Sequence, residues 1–405
     1  MEGNMKKFFA QVLVSALVIT LVACGGSVTQ GNIPSFAVPD ENSPARGKTG
    51  MEVPYGSTVN WNGFEITAAP DIFDNIDQLI ASLDWDEVFG DLMTYKTNKS
   101  LNVLYIPSWA GAEYFTNSFA VWKPFLEKYN ITLTMQGPTD YTDASQLAVV
   151  ESALAGGNYD ALILYPITPE SYAPYMENWW NTYKTPIVTL GFGEETGGGN
   201  YFLVTSSQRT KGIQMAQAIF DYCNANAQYF SQYDLIPYAV FQESSAPAVK
   251  IWLDILMELL AKDGRFECVA TYEVSAEKAA QGIEAIMSTH PEIEFLFTQA
   301  DDSAVIANNI LLNNKKSGMS AMLSIWSQGG TGSAIAAIKQ DGFFKGTASS
   351  LNGFVGAVWS QLLPIVVGAA QQGILLEEIN EIMRGMLAGS LVFTKENVDN
   401  WNVVP

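Results

Sequence analysis

The chain has 405 residues, 48% of them hydrophobic and 12% aromatic, which is enough apolar material for two domains with cores of their own. Its 42 acidic and 21 basic residues give a net charge of −21, and a surface of that sign repels phosphate backbones, so nucleic-acid binding is excluded. One histidine, His290, and three cysteines without a cluster leave almost no material for a zinc site or a Ser-His-Asp triad. No metal and no cofactor is expected, and the composition argues against most hydrolases.

In chain order, Lys6 and Lys7 precede an apolar run from Phe8 to Ala23, and Cys24 follows directly. A charged start, an apolar middle and a small residue before the cut form a secretory signal, with Met5 an alternative start to Met1. A cysteine at the cut resembles the bacterial lipoprotein signal, in which that cysteine becomes the acylated first residue. The competing reading is a transmembrane anchor, but the run falls short of the roughly 20 residues a membrane helix needs. Residues 1–23 therefore read as a lipoprotein signal peptide and Cys24 as the lipidation site, placing the protein outside the cytoplasmic membrane, anchored by lipid.

Residues 24–50, rich in Gly, Pro, Ser and Asn, read as a flexible tether. Apolar residues at helical spacing from Ile72 to Leu92 make 51–100 an N-terminal helical extension. From Leu101 short apolar strands alternate with helices. Strands are expected over 101–106, 131–135, 161–164 and 186–190, with helices at 115–129, 143–157 and 169–183 between and after them. The pattern repeats with strands at 238–241, 267–272, 295–297 and 322–326 and helices at 208–228, 247–263, 275–289, 302–313 and 331–340. Alternation of this kind specifies an α/β fold with parallel sheets covered on both faces. Two successive units imply two similar doubly wound lobes, and ligands of such sheets bind beyond the carboxyl ends of the strands. Cys223 and Cys268 read as buried free thiols, with a disulfide between them the alternative.

Several segments, in order, resemble the type I periplasmic binding proteins of the sugar-binding group. Ile106-Pro107-Ser108 with Tyr114-Phe115 is similar to the first strand and aromatic pair of that group. Asn158 to Ile163, Thr185 to Leu190 and His290 to Phe297 are similar to three later strand segments. Gly137-Pro138-Thr139-Asp140 with Gln146, and the ending Thr394 to Asp399, resemble the autoinducer-2 and rhamnose binding subgroup. The resemblance implies two lobes joined by a three-strand hinge near Ser206-Ser207, Ser350-Leu351 and residues 373–380. The N-terminal lobe would comprise 101–206 plus 351–375, and the C-terminal lobe 207–350 plus 376–405.

The family's ligand contacts are not all present. Gly191-Phe192 stands where sugar binders carry Asp or Asp-Arg, Lys250 near a second-lobe polar position, and Ser327, after Trp326, at a usual aspartate. Ser108 falls at the autoinducer-binding lysine position. Gln299 and Asp301 stand near the usual Asn-Asp. The expected pocket is therefore aromatic, with few ions. Its candidate ligand-binding residues are Ser108, Trp109, Glu113, Tyr114, Phe115, Gly191, Phe192, Lys250, Gln299, Asp301, Trp326, Ser327, Gln328, Ser350 and Asn352, with Trp252 a further aromatic at a strand end. Lys250 is the one candidate cation, and 327–332 reads as a ligand-facing loop.

The function implied is a monomeric, lipid-anchored solute receptor that captures a small sugar-like molecule by hinge closure and delivers it to an ABC permease. A sensory receptor for a membrane kinase or chemoreceptor is the alternative. A glycosidase using Asp301-Asp302 is remote, because adjacent carboxylates do not flank a scissile bond.

Overall fold

The computed structural model describes residues 58–61, 64–67, 84–168, 171–191, 201–204, 208–244, 247–274, 278–313, 319–350, 352–374 and 390–398. The signal segment 1–23, Cys24 and the tether 24–50 lie outside these residues, as do the hinge positions 206–207, 351 and 375–380.

The extension is not purely helical. β1 (Thr58–Trp61) and β2 (Phe64–Thr67) pair antiparallel, with Thr58 opposite Thr67. The signal for this was legible: an Asn-Gly pair at 62–63 stands between two runs of β-branched and aromatic residues, the favoured composition of a tight hairpin. A short helix follows, α1 (Trp85–Phe89), and then a 3-10 turn over Gly90–Tyr95.

The first lobe runs β3 (Leu101–Ile106), α2 (Glu113–Glu127), β4 (Ile131–Met135), α3 (Asp143–Gly156), β5 (Ala161–Leu164), α4 (Ala173–Tyr183), β6 (Ile187–Gly191) and β7 (Tyr201–Val204). All five strands lie parallel in the order β4-β3-β5-β6-β7. Every residue of β5 is buried, as the unbroken apolar run requires when helices cover both faces. α3 starts where the Thr142 side chain accepts from the Ser145 amide, and ends at Gly157 in the left-handed region.

The second lobe runs α5 (Gln208–Ala225), α6 (Ala227–Phe230), β8 (Ile236–Gln242), α7 (Pro247–Asp263), β9 (Phe266–Glu273), α8 (Ala279–Thr289), β10 (Phe295–Thr298), α9 (Asp301–Asn313), β11 (Ser324–Gln328), α10 (Gly332–Lys339) and β12 (Phe344–Ser350). α11 (Asn352–Gln371) then packs on α2 of the first lobe, and β13 (Ser390–Thr394) rejoins the second sheet. That sheet has the order β13-β12-β11-β10-β8-β9, parallel except for the antiparallel β13.

β7, β12, β13 and α11 were not expected from the sequence. In α11 every residue from 355 to 370 is buried, so no polar face marks a helical period. The Trp122 and Trp359 rings meet 6.4 Å apart where it crosses α2.

Both thiols are free, Cys223 within the core. Cys268 is exposed, against expectation, because β9 is the edge strand of its sheet. Among the described residues no helix is long and apolar enough to cross a membrane.

Candidate functional site

The carboxyl ends of both parallel sheets face one cavity of about 540 Å³. From the first lobe, the turn after β3 supplies Ser108 and Trp109, the start of α2 supplies Tyr114 and Phe115, the loop after β4 supplies Thr139, Asp140 and Tyr141, and the end of β5 supplies Tyr165. From the second lobe, α5 supplies Gln208 and Lys211, and the end of β8 supplies Glu243. The turn into α9 supplies Gln299 to Ser303, and the end of β11 supplies Gln328, Gly329 and Thr331.

Tyr114, Phe115 and Tyr165 form an edge-to-face trio, with centroids 5.2 Å apart for Tyr114–Phe115 and 4.9 Å for Phe115–Tyr165. The strand ends carrying Ser108 and Tyr165 are joined by Gln146. Its amide donates to the Pro107 and Tyr165 carbonyls, both at 2.8 Å, and its oxygen accepts from the Ile167 amide and the Tyr172 hydroxyl. This fully buried side chain replaces a break in the backbone ladder with four hydrogen bonds.

Asp301 does the same work in the second lobe. At 1% exposure, its carboxylate accepts from the Ser327 and Thr347 hydroxyls and from the amide and hydroxyl of Thr331. Burial pushes its carboxyl up, and these donors oppose the shift. The loop it holds needs glycine. Gly330 has φ +67°, and a Cβ there would lie 2.1 Å from Ser349 Oγ. The loop amides are taken internally: Gly329 N–H donates to the Ala348 carbonyl and Gly330 N–H to Thr347 Oγ1.

Lys211 is 2% exposed, and its ammonium donates to Gln328 Oε1 at 3.1 Å. Burial lowers its pKa to about 8, with the Asp301 charge opposing. Asp302 is pushed up by burial, then by the like charges of Asp301, Glu113 and Glu243. Tyr141 is pushed up to about 12 by burial and by Glu243, which faces it from the other lobe. No group of three or more His, Cys, Asp or Glu among the described residues is arranged to hold a metal ion.

The model of the periplasmic binding protein domain matches residues 103–359. The chain belongs to the periplasmic binding protein family. Its architecture is the type I fold of that family, two α/β lobes with largely parallel sheets. Solved structures agree in fold. A solute-binding protein of an ABC transporter from Burkholderia graminis, in complex with D-arabinose, superposes with a TM-score of 0.59 at 15% identity, covering 75% of this chain and 98% of that one. One from Actinobacillus succinogenes with D-allose gives 0.55 at 16% identity over 74% and 100%. One from Clostridium phytofermentas with L-rhamnose gives 0.57 at 13% identity over 75% and 98%. No curated protein matches the sequence.

In this family frame, seven of the residues expected at the ligand, Ser108, Trp109, Tyr114, Phe115, Gln299, Asp301 and Gln328, come together around the cavity. Others do not. Trp326 is 1% exposed and packs in the second core against Tyr222, two residues back along β11 from Gln328 at the strand's carboxyl end. Trp252 is likewise fully buried, its indole N–H donating to the Gln299 carbonyl. Ser327 sits behind the lining, bonded to Asp301. Lys250 is paired with Asp254 one helical turn on and is not in the lining, where Lys211 is the basic residue among the described ones. Glu113 lies beside the lining and bonds Ser333 of the opposite lobe. Gly191 ends β6, and its burial falls outside the described residues. Phe192 and the side chains of Ser350 and Asn352 fall outside the described residues.

Tyr165, Gln208, Lys211 and Glu243 were missed. Gln208 and Lys211 share one face of the first turn of α5, a position that i, i+3 spacing would have revealed once the sheet order was known.

Proposed function

We propose that this protein is a lipid-anchored extracytoplasmic receptor that captures a small carbohydrate-like ligand between its lobes and hands it to an ABC permease. The observation that carries the reading is the cavity itself: two sets of strand ends, an aromatic trio on one side and hydrogen-bonding groups on the other. Its volume lies within the roughly 300–1,000 Å³ of small-molecule sites. Aromatic faces suit the apolar faces of a sugar ring, and amide, hydroxyl and carboxylate groups suit its hydroxyls. The sugar-bound state of the structural neighbours supports the ligand class, and Thr139 and Asp140 at the cavity support the rhamnose-type subgroup. The signal-like residues 1–23 and Cys24 support the anchor and the address, and the tether 24–50 supplies reach to a membrane partner. The receptor works as a monomer, its two lobes (101–206 with 351–375, and 207–350 with 376–405) closing about the hinge.

Thermal shift of the purified protein against sugars, polyols and nucleosides tests the ligand class, with mass spectrometry of any ligand carried through purification. A rise in Tm for at least one monosaccharide is expected, and silence across every sugar and polyol overturns the reading. Labelled fatty acid should be incorporated by the full chain and not by Cys24→Ser; equal labelling of both removes the anchor.

A further inference from the structure

The cavity is larger than one sugar ring needs. Its volume is about 540 Å³, and the lobes already meet at Glu113 and Ser333, so this is the volume of a cleft drawn together. A hexose occupies about 200 Å³ at the packing density of a protein interior, and two joined hexoses about 400 Å³. One ring leaves more than half of the space to water, whereas two fill most of it. Small-molecule sites enclose most of their ligand's surface, which favours the larger occupant.

Trp109 supplies an independent observation. It lines the cavity yet is 36% exposed, which places it at the rim. Tyr114, Phe115 and Tyr165 contact one another, and Trp109 makes no ring contact with any of them, so its indole is a separate platform. The ring is pressed on Gly111 instead: a Cβ there would lie 2.8 Å from both Cε2 and Cζ2. Glycine at 111 thus lets the indole fold against its own turn, which fixes the ring at the rim without burying it. Such a ring offers a stacking face and an N–H donor.

Gln208 marks the inner end. It is 2% exposed and lines the same cavity, and its Oε1 is buried with no hydrogen-bond partner. A buried acceptor left unpaired is costly, so a donor brought by the ligand belongs there. A ligand that meets both residues reaches from the enclosed wall to the rim.

We propose that the ligand is a disaccharide, with one unit enclosed between the aromatic trio and Gln208 and the other stacked on Trp109. This rests on the reading of the cavity as a carbohydrate site and narrows the ligand class within it. A monosaccharide fills only the inner part and binds more weakly.

Isothermal titration of maltose, cellobiose and lactose against glucose and galactose tests the proposal, on wild type, Trp109→Ala, Trp109→Phe and Gly111→Ala. In wild type at least one disaccharide should bind about tenfold tighter than each of its constituent sugars. The readout in each variant is the ratio of the disaccharide affinity to the monosaccharide affinity. Trp109→Ala should cut that ratio to about threefold or less, and Gly111→Ala, which displaces the indole without removing it, should lower it in the same direction. Trp109→Phe keeps a ring and should retain most of the ratio, which separates stacking from a general defect. A monosaccharide that binds wild type as tightly as every disaccharide overturns the proposal and leaves the carbohydrate reading standing. A ratio unchanged in Trp109→Ala overturns the platform at the rim. Silence from every sugar overturns the carbohydrate reading itself, and the proposal with it.

Discussion

Glu113 and Ser333 join the two lobes across the mouth of the cleft. Glu113 begins α2 in the first lobe. One oxygen of its carboxylate accepts from the Ser333 amide at 3.1 Å and the other from the Ser333 hydroxyl at 2.6 Å. Ser333 lies in the first turn of α10, whose own cap is Thr331. The carboxylate of one lobe thus meets the positive end of a helix in the other, a charge-assisted contact available only while the lobes are together.

Glu113→Ala should therefore favour the open form. Hydrogen bonds to charged groups contribute about 1.5–3 kcal/mol, so ligand affinity should fall roughly tenfold to a hundredfold if closure is coupled to binding. Small-angle scattering should show a larger radius of gyration for the ligand-free variant. An unchanged radius and affinity would remove the contact from the closing mechanism.

Lys211 gives the structure a pH dependence. Its pKa is about 8 in the fold against 10.5 when exposed, so between those values the unfolded chain binds more protons than the folded one. Stability then rises with pH across that window, and below about pH 8 the full burial penalty of about 3 kcal/mol is felt. Lys211→Met should be more stabilised relative to wild type at pH 7 than at pH 10.5, by urea denaturation at both values. A constant difference would mean that the ammonium is better solvated than its burial implies.

Trp326→Ala should unfold the second lobe before it touches ligand binding. The indole is core, bonded through its N–H to Ser324 Oγ at 3.0 Å and packed on Tyr222. Truncation of a buried tryptophan costs about 3–5 kcal/mol. Phe115→Ala, at the cavity wall, should instead lower affinity more than stability. Calorimetric Tm and titration on both variants separate the two roles.

Gly368→Ala should detach the segment before β3 from α11. A Cβ at 368 would lie 1.7 Å from the Tyr95 carbonyl oxygen, and neither backbone can yield without losing its neighbours. Lys96 Nζ donates to Gln361 Oε1 at 2.8 Å and the Thr97 amide to the Pro364 carbonyl at 3.1 Å, so two further bonds stitch the segment to the helix just beyond the contact. Limited proteolysis should cut the variant near residue 95 faster than wild type, with little change in ligand binding.

Much of the fold was legible because burial on both faces writes itself as unbroken apolar runs. Leu101–Ile106, Ile131–Met135 and Ala161–Leu164 were expected as strands with the bounds they have. α11 was not, since a helix buried all round carries no amphipathic period, and β12, with the run Lys345-Gly346-Thr347-Ala348-Ser349, carries little apolar signal. Seven residues of the cavity wall were legible through strand ends, because in a parallel sheet the loops after the strands all face one side. Trp326 and Lys250 were misplaced, for no one-dimensional signal says which side of a strand, or which face of a helix, meets the other lobe.

The sequence by itself determined the alternation of strands and helices, the pairing of two doubly wound units and the acidity. Those properties depend on residues near one another in the chain. The tertiary structure alone decided that Lys211, 103 residues after Ser108 in sequence, shares a cavity with it. It also decided that Asp301 is held by its own loop while Asp302 lines the cavity. Charge balance in a pocket depends on which side chains close over it, and that is fixed only when two lobes approach.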